Sequence, residues 1–353
     1  MRRVSKWCKA LCGALLLALT LTACTKQDAK IKPQGKAYFT YFDTVSYVYS
    51  YAGDSAETFE AHSAEAAAVL KHYHQLFDIY HEYEDVVNLC TINRQAGGQA
   101  LQVDQELIDF LLYAKEMYAK TGGRMNVMMG SVLRLWHDCR EAATEDPNSA
   151  HLPDEQALQE AARHISIDAL EIDPQQRTVR ISDKEASLDV GALGKGYATE
   201  KAAQALEQQG VTAYVLNVGG NIRILGTKPD GSSWVTGIRD PNGAENEFII
   251  NLNLSDTSCS TSGVYERYFV VDGKRYHHII DQDTLYPAGY FASLSVITPD
   301  SGYADALSTA LFCMSYEQGM QLAQALGDVE VLWVMNDGEV RYTPGLEKYI
   351  KKS

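Results

Sequence analysis

Apolar residues recur at helical spacing in two early stretches: Val69, Leu70, Tyr73, Leu76, Phe77 and Tyr80, then Leu107, Phe110, Leu111, Ala114, Met117 and Tyr118. Side chains three and four apart share one face of a helix, so each set predicts an amphipathic helix laid on a core. Asp104 precedes the second set as its cap, and Gly122 follows as its stop. A third helix is predicted to begin near Asp154. From Ile165 the period shortens to two, in Ser166-Ile167-Asp168, Leu170-Glu171-Ile172 and Thr178-Val179-Arg180-Ile181. That is the alternation of half-buried strands. Residues 195–208 return to helical spacing and stop at Gly210. Residues 211–217 read as a buried strand that turns at Gly219-Gly220 into residues 222–225. Further strands are predicted at 248–254, 265–271 and 293–297, with Asp272-Gly273 as a hairpin turn. Residues 305–314 and 317–326 read as helices, before a last hairpin at Asn336-Asp337-Gly338. Strands that follow one another without regular helical crossovers predict an α+β fold, with a mixed, largely antiparallel sheet flanked by helices. No repeat or low-complexity linker interrupts residues 37–353, which are expected to form a single domain.

The first residues break this pattern. Arg2, Arg3, Lys6 and Lys9 precede a short apolar run, residues 10–22, which ends in Leu21-Thr22-Ala23-Cys24. The run is too short to span a bilayer and has the layout of a signal peptide. Leu-Thr-Ala-Cys matches the bacterial lipobox, so residues 1–23 are expected to be removed and Cys24 to be lipidated. Residues 24–36 are polar and aperiodic and read as a tether. The expected location is the extracytoplasmic face of the cell membrane, held there by acyl chains. An ordinary secretory signal with an incidental cysteine is the alternative.

Charge narrows the partners. The chain of 353 residues carries 31 Lys+Arg against 46 Asp+Glu, a net charge of −15. Loss of residues 1–23 removes four basic side chains and no acid, leaving 27 against 46, or −19. Such a surface repels nucleic acid and anionic head groups, and an anionic substrate would need a local cation or a metal. Cys90, Cys139, Cys259 and Cys313 are scattered without Cys-x-x-Cys spacing. That argues against zinc and for buried thiols, with one disulfide open to a chain outside the cytoplasm.

Four glycine- or hydroxyl-rich junctions, each read at the end of a strand, carry the candidate chemistry. The first, Asp189-Val-Gly-Ala-Leu-Gly-Lys195-Gly196, invites comparison with a P-loop. It is too short for one, and Gly196 stands where Ser or Thr would hold Mg²⁺. Its glycines still allow a close backbone approach, and the helix predicted to start at Lys195 favours phosphate. The second, Asn217-Val-Gly-Gly-Asn221, suits a wall against a flat ring or a plain hairpin. The third, Ser258-Cys-Ser-Thr-Ser-Gly263, is followed by Tyr265, Tyr268 and Arg275-Tyr-His277-His278-Ile-Ile-Asp281. Adjacent strand residues point to opposite faces, so at most one of the two histidines is expected to face a given site. The fourth pairs Asp305 with Thr309, four apart on one helix face, as hard oxygen donors suited to Mg²⁺. Taken singly, each junction also fits a structural role: a turn, a hairpin, a half-exposed histidine, an aspartate at a helix start.

In order along the chain, Asp-x-Gly-Ala-x-x-Lys-Gly-Tyr, Asn-Val-Gly-Gly-Asn, Ser-Thr-Ser-Gly, His-Ile-Ile-Asp and Ala-Asp-Ala-x-Ser-Thr resemble the flavin transferase (ApbE) family. The likeness runs from Phe42-Asp43-Thr44 to the C-terminal hairpin. It implies an ApbE-like, T-fold-related architecture. It also implies an exported protein that uses Mg²⁺ to split FAD, passing FMN through a phosphoester to a Thr or Ser of an acceptor protein and releasing AMP. Residue by residue, the resemblance implies that Asp305 and Thr309 bind Mg²⁺ through side chains and Ala192 through its carbonyl. Asp189, Lys195 and Ile280 are implied to contact FAD, as are Phe42, Tyr80, Arg124, Met125 and Asn126. His278 matches the family's His before the Ile-Asp pair and is the candidate for a catalytic or orienting role, with Asp281 or His278 as the candidate base toward the acceptor hydroxyl. The chain departs from the family pattern twice. Asp281-Gln-Asp-Thr-Leu285 stands for Asp-Pro-x-Thr-Gly, and Gly191-Ala-Leu-Gly-Lys-Gly196 for Ser-Ala-Ile-Ala-Lys-Gly, so these loops are expected to differ in shape. Two other readings share the pocket. One is an FAD pyrophosphatase, with water in place of the acceptor hydroxyl. The other is a lipoprotein that binds flavin without turnover, for which the Asp305 and Thr309 pair is unnecessary.

Overall fold

A strand with one apolar face needs a cover for it, and a strand apolar on both faces needs two. The computed structural model describes residues 32–244 and 247–352. Eight strands lie side by side in chain order: β1 (Gln34–Tyr41), β2 (Thr44–Ser50), β3 (Tyr214–Val218), β4 (Asn221–Leu225), β5 (Ser258–Gly263), β6 (Phe291–Thr298), β7 (Glu330–Met335) and β8 (Val340–Tyr342). Every neighbouring pair is antiparallel. The helices are carried by two long excursions. Between β2 and β3 come α1 (Ala56–Phe77), α2 (Leu89–Arg94), α3 (Gln105–Lys120), α4 (Gly130–Glu145), α5 (Glu155–Ala161) and α6 (Gly194–Gln208). Between β6 and β7 come α7 (Ser301–Phe312) and α8 (Tyr316–Leu326).

Helices α1, α6 and α7 cover one face of the sheet. The core there joins Leu70, Phe77, Phe110, Tyr197, Tyr214 and Leu216, with the Phe77 and Phe110 rings 3.9 Å apart. The hairpin of Trp234–Arg239 and Phe248–Leu254 covers the other face, over Ile224, Cys259, Ile297 and Leu332. Burial from both sides explains why all eight residues of β6 are buried. Each fully buried large apolar side chain in these layers contributes roughly 1.5–3 kcal/mol. Residues Pro33–Ser353 form one compact unit, and the α+β architecture with its antiparallel sheet is the one expected. Cys90, Cys139, Cys259 and Cys313 are free and buried. Among the described residues, no helix is long and apolar enough to cross a membrane.

The structure corrects several sequence expectations. Helix α1 ends at Phe77 rather than running through Tyr80, because the Asp78 carboxylate accepts the backbone N–H groups of Tyr80 (2.7 Å) and His81 (3.0 Å). Helix α4 was not expected at all. Its buried Val132, Trp136 and Cys139 keep helical spacing, with polar and charged residues between them. Asp189 is not on a strand end but in an irregular segment, where its N–H donates to Val127 O at 2.8 Å. The hydroxyl-rich run Ser258–Gly263 is strand β5 itself. Its Ser260 hydroxyl bonds Asn221 Oδ1 at 2.7 Å and its Ser262 hydroxyl meets the Ser308 hydroxyl at 2.9 Å. Strand β1 begins at Gln34, within residues 24–36 that read as tether. The expected signal peptide, residues 1–23, and Cys24 lie outside the described residues.

Candidate active site

Turns at one end of an antiparallel sheet gather residues that are distant in sequence. Here the β1–β2 tip, the Gly219-Gly220 turn, the end of β5 and residues 276–282 meet the first turn of α6 and the face of α7. Together they enclose a cleft of about 790 Å³. At the β1–β2 tip, Phe42 and Asp43 both adopt left-handed backbone, φ 56° and 49°. For a bulky residue this conformation is strained by about 1–3 kcal/mol and persists only where neighbours hold it. The Phe42 N–H donates to His74 Nδ1 at 3.3 Å, and the two rings meet edge to face at 5.5 Å.

The implied metal donors converge. The Thr309 hydroxyl donates to the Ala192 carbonyl at 3.4 Å, across 117 positions of chain. Asp305 is 5% exposed, and its Oδ2 accepts the Gly196 N–H at 2.8 Å with Lys195 Nζ 3.9 Å away. Burial pushes the Asp305 carboxyl above its ordinary range, and Lys195 and the Gly196 N–H only partly offset this. A carboxylate, a hydroxyl and a carbonyl brought together where a charge is desolvated form a hard-oxygen set that suits Mg²⁺. Gly196 is what lets α6 and α7 close on each other. A Cβ there would stand 2.3 Å from Asp305 Cβ and 2.4 Å from Ser301 O. Lys195 Nζ also donates to Gly191 O at 3.2 Å, which folds the loop over itself. Asp189 Oδ1 accepts the Gly191 N–H at 2.9 Å, and burial raises the pKa of this carboxyl too.

Phe42, Tyr80, Arg124, Met125, Asn126, Asp189, Ala192, Lys195, His278, Ile280, Asp305 and Thr309 all line the cleft. Asn126 is also tied to the scaffold, since its Nδ2 donates to Ile165 O (2.9 Å) and its Oδ1 accepts from Met128 N (2.9 Å). The strand Lys274–His277 ends before His278, so strand alternation does not govern the histidine pair. His277 turns inward, with Nε2 2.9 Å from Ala288 O and its ring edge-on to Phe312. His278 is half-exposed on the cleft wall, with Nδ1 3.2 Å from Arg267 O. Enclosure by protein pushes its pKa down to about 3, and the charges of Arg267 and Lys195 act in the same direction.

Among the described residues proposed for the site, Asp281 alone does not line the cleft. It is 3% exposed, and its Oδ1 accepts the Asp283 N–H (2.9 Å) and faces Arg124 Nη1 at 3.4 Å. With both neighbours bound it anchors Arg124, which also pairs with Asp283 at 2.5 Å. No motif in the sequence marks the wall built by α4, where Leu133, Trp136, His137 and Arg140, with Met129 just before the helix, line the cleft. The Val132, Trp136 and Cys139 spacing was the available signal.

The ApbE family model matches residues 42–333. The chain belongs to the ApbE family. An FAD:protein FMN transferase of Treponema pallidum (strain Nichols) is 32% identical over 305 residues, covering 80% of this chain and 82% of its own. Another of that name, from Vibrio cholerae serotype O1, is 26% identical over 349 residues, covering 98% of this ApbE-family chain and 97% of its own. Among solved structures, the ApbE protein of Thermotoga maritima matches with a TM-score of 0.79 at 26% identity, over 91% of this chain and 100% of that one. The flavin transferase ApbE from Vibrio cholerae shares the fold, with a TM-score of 0.73 at 22% identity over 90% of this chain and 100% of that one.

Proposed function

We propose that this ApbE-family chain is an FAD:protein FMN transferase that moves FMN from FAD to a Thr or Ser of an acceptor protein and releases AMP. One observation carries the reading: Asp305, Thr309, the Ala192 carbonyl and Lys195 converge in one cleft whose volume is that of a ligand site. The name borne by the relatives, FAD:protein FMN transferase, supports the same reaction class.

Asp305, Thr309 and Ala192 O would hold Mg²⁺, which when bound neutralises the diphosphate and makes its phosphorus electrophilic. Lys195 brings a second positive charge, and the amides that open α6 favour the anion. The acceptor hydroxyl attacks the phosphorus on the flavin side. The bond from that phosphorus to the bridging oxygen breaks, and AMP leaves with the oxygen. His278, on the cleft wall, is the residue placed to take the hydroxyl proton. Asp281 acts through Arg124 as a positioning residue. Together with the lipobox at Cys24, the reading puts the enzyme at the extracytoplasmic face of the membrane, where the acceptor is also an exported protein.

The test is labelling. The protein incubated with FAD, Mg²⁺ and an exported flavin-acceptor domain is expected to leave covalent flavin fluorescence on the acceptor, and none with EDTA. Intact FAD and an unlabelled acceptor would refute the reading. FMN and AMP formed at the same rate without any acceptor would make the protein an FAD pyrophosphatase instead. FAD bound but never split would make it a flavin-binding lipoprotein.

A further inference from the structure

Helix α4 supplies a wall of the cleft that the proposed chemistry does not use. His137 and Arg140 lie on it one turn apart, and both line the cleft. Arg140 Nη2 is 2.7 Å from His137 Nδ1. A guanidinium has donors and no acceptor, so Nδ1 must accept and the imidazole proton sits on Nε2. That leaves a single N–H on the opposite edge of the ring, with no bonded protein acceptor among the described residues. The ring lies beside Tyr80, with centroids 5.4 Å apart and planes inclined by 33°.

The helix that carries the pair is fixed. Gly130 N–H donates to Ser187 O at 3.1 Å, and a Cβ at Gly130 would come within 2.4 Å of Ser187 Oγ. One residue before His137, Trp136 Nε1 donates to Leu285 O at 2.9 Å. Met129 just before the helix and Leu133 and Trp136 on it make this part of the wall apolar. The groups suited to a diphosphate, Lys195, Asp305 and Thr309, belong to α6 and α7 instead.

We infer that His137 determines specificity by reading the edge of a heterocycle of the dinucleotide, a reading that rests on the proposed function. Its Nε2–H donates to a ring nitrogen or carbonyl while Tyr80 covers the ring face. Arg140 is a positioning residue that holds His137 in the required tautomer. The chemistry recognised is a flat heteroaromatic ring with an acceptor on its edge, which both the isoalloxazine and the adenine of FAD present.

The experiment uses the full-length protein in detergent. FAD binding is titrated by flavin fluorescence with EDTA present, and FMN transfer is followed separately with Mg²⁺. His137→Phe keeps a ring and removes the donor, His137→Gln restores a donor, and Arg140→Met frees the tautomer. Both His137→Phe and Arg140→Met are expected to weaken FAD at least tenfold and to raise KM for FAD while kcat stays within twofold. His137→Gln is expected to stay within threefold of the unaltered protein. Titration with riboflavin and with adenosine then tells the two sources apart, since affinity for one of them falls by the same factor. The inference is overturned if His137→Phe binds FAD as tightly as the unaltered protein, or if Gln and Phe lose equally. It is also overturned if neither fragment responds, or if the loss appears with inorganic diphosphate instead. Failure of the functional reading looks different: the unaltered protein then binds no FAD, or binds it and transfers no FMN while the binding titration still decides the role of His137.

Discussion

At Asp305 a carboxylate is held in a place where its charge is unwelcome. Its pKa is raised by burial, so the metal-free protein keeps the proton to higher pH than the unfolded chain does. Between the two pKa values the folded state binds more protons, and metal-free stability therefore falls as pH rises through that window. Asp305→Asn is accordingly expected to be as stable as the unaltered protein, or more stable, in EDTA at neutral pH. Mg²⁺ should raise the melting temperature of the unaltered protein and leave that of the variant unmoved. FAD cleavage by the variant should fall by at least about a hundredfold, as for loss of a charge-stabilising group. Unchanged turnover would remove Asp305 from the metal set. His278 carries the opposite shift. Its folded pKa, about 3, lies below the ordinary histidine value of 6.5, so on acidification the unfolded chain takes up a proton that the folded chain refuses. Stability should therefore decline from near pH 6.5 down toward pH 3, and urea melts of His278→Gln should show a shallower decline. The acid limb of kcat should likewise lack a titration near the ordinary histidine value, which a pH–rate profile checks.

Among the elements, the junction of α6 and α7 decides the site, and a glycine decides the junction. Gly196→Ala would drive a methyl group into Asp305 Cβ and the Ser301 carbonyl. We expect a loss of about 1–3 kcal/mol in stability, as for overpacking. We also expect weaker Mg²⁺ binding than that loss alone explains, because Asp305 is the atom group displaced. Thermal melts together with a Mg²⁺ titration separate the two effects. The same junction marks how much of the site was legible in the chain. Asp305 and Thr309 were readable because a period of 3.6 puts positions four apart on one face. The start of α6 at Gly194-Lys195 was readable from its glycines. That the two elements touch was not readable, because no local period links residues 117 apart. The end of α1 escapes the local pattern for a related reason. The apolar stripe continued to Tyr80, but the side chain of Asp78 captured the N–H groups that another turn would have needed.

For the whole molecule, the proposed function places an anion-binding cleft on an acidic protein, with attachment to a surface through the lipobox as a further proposal. If Cys24 is the anchor, Cys24→Ser should move the protein from the membrane fraction to the soluble fraction without altering FMN transfer to a soluble acceptor domain. Retention at the membrane would refute lipid attachment at that residue. The sheet shows the limits of local pattern at this scale. Residues 248–254 alternate because one face of that hairpin meets solvent. Strand β6 does not alternate, because helices cover one side and the hairpin covers the other.

The sequence by itself determined the α+β class, most strands and helices, the acidic balance and the ordered set of motifs that point to the ApbE family. All of these are local or one-dimensional properties: periodicity, turn residues, charge and spacing. Only the tertiary structure decided that Asp281 stands behind the cleft, that His277 and His278 part company, and that α4 forms a wall. It also brought the Ala192 carbonyl within reach of Thr309. Each of these depends on which turns the antiparallel sheet gathers at one end. That is a property of long-range pairing, and no stretch of the chain encodes it alone.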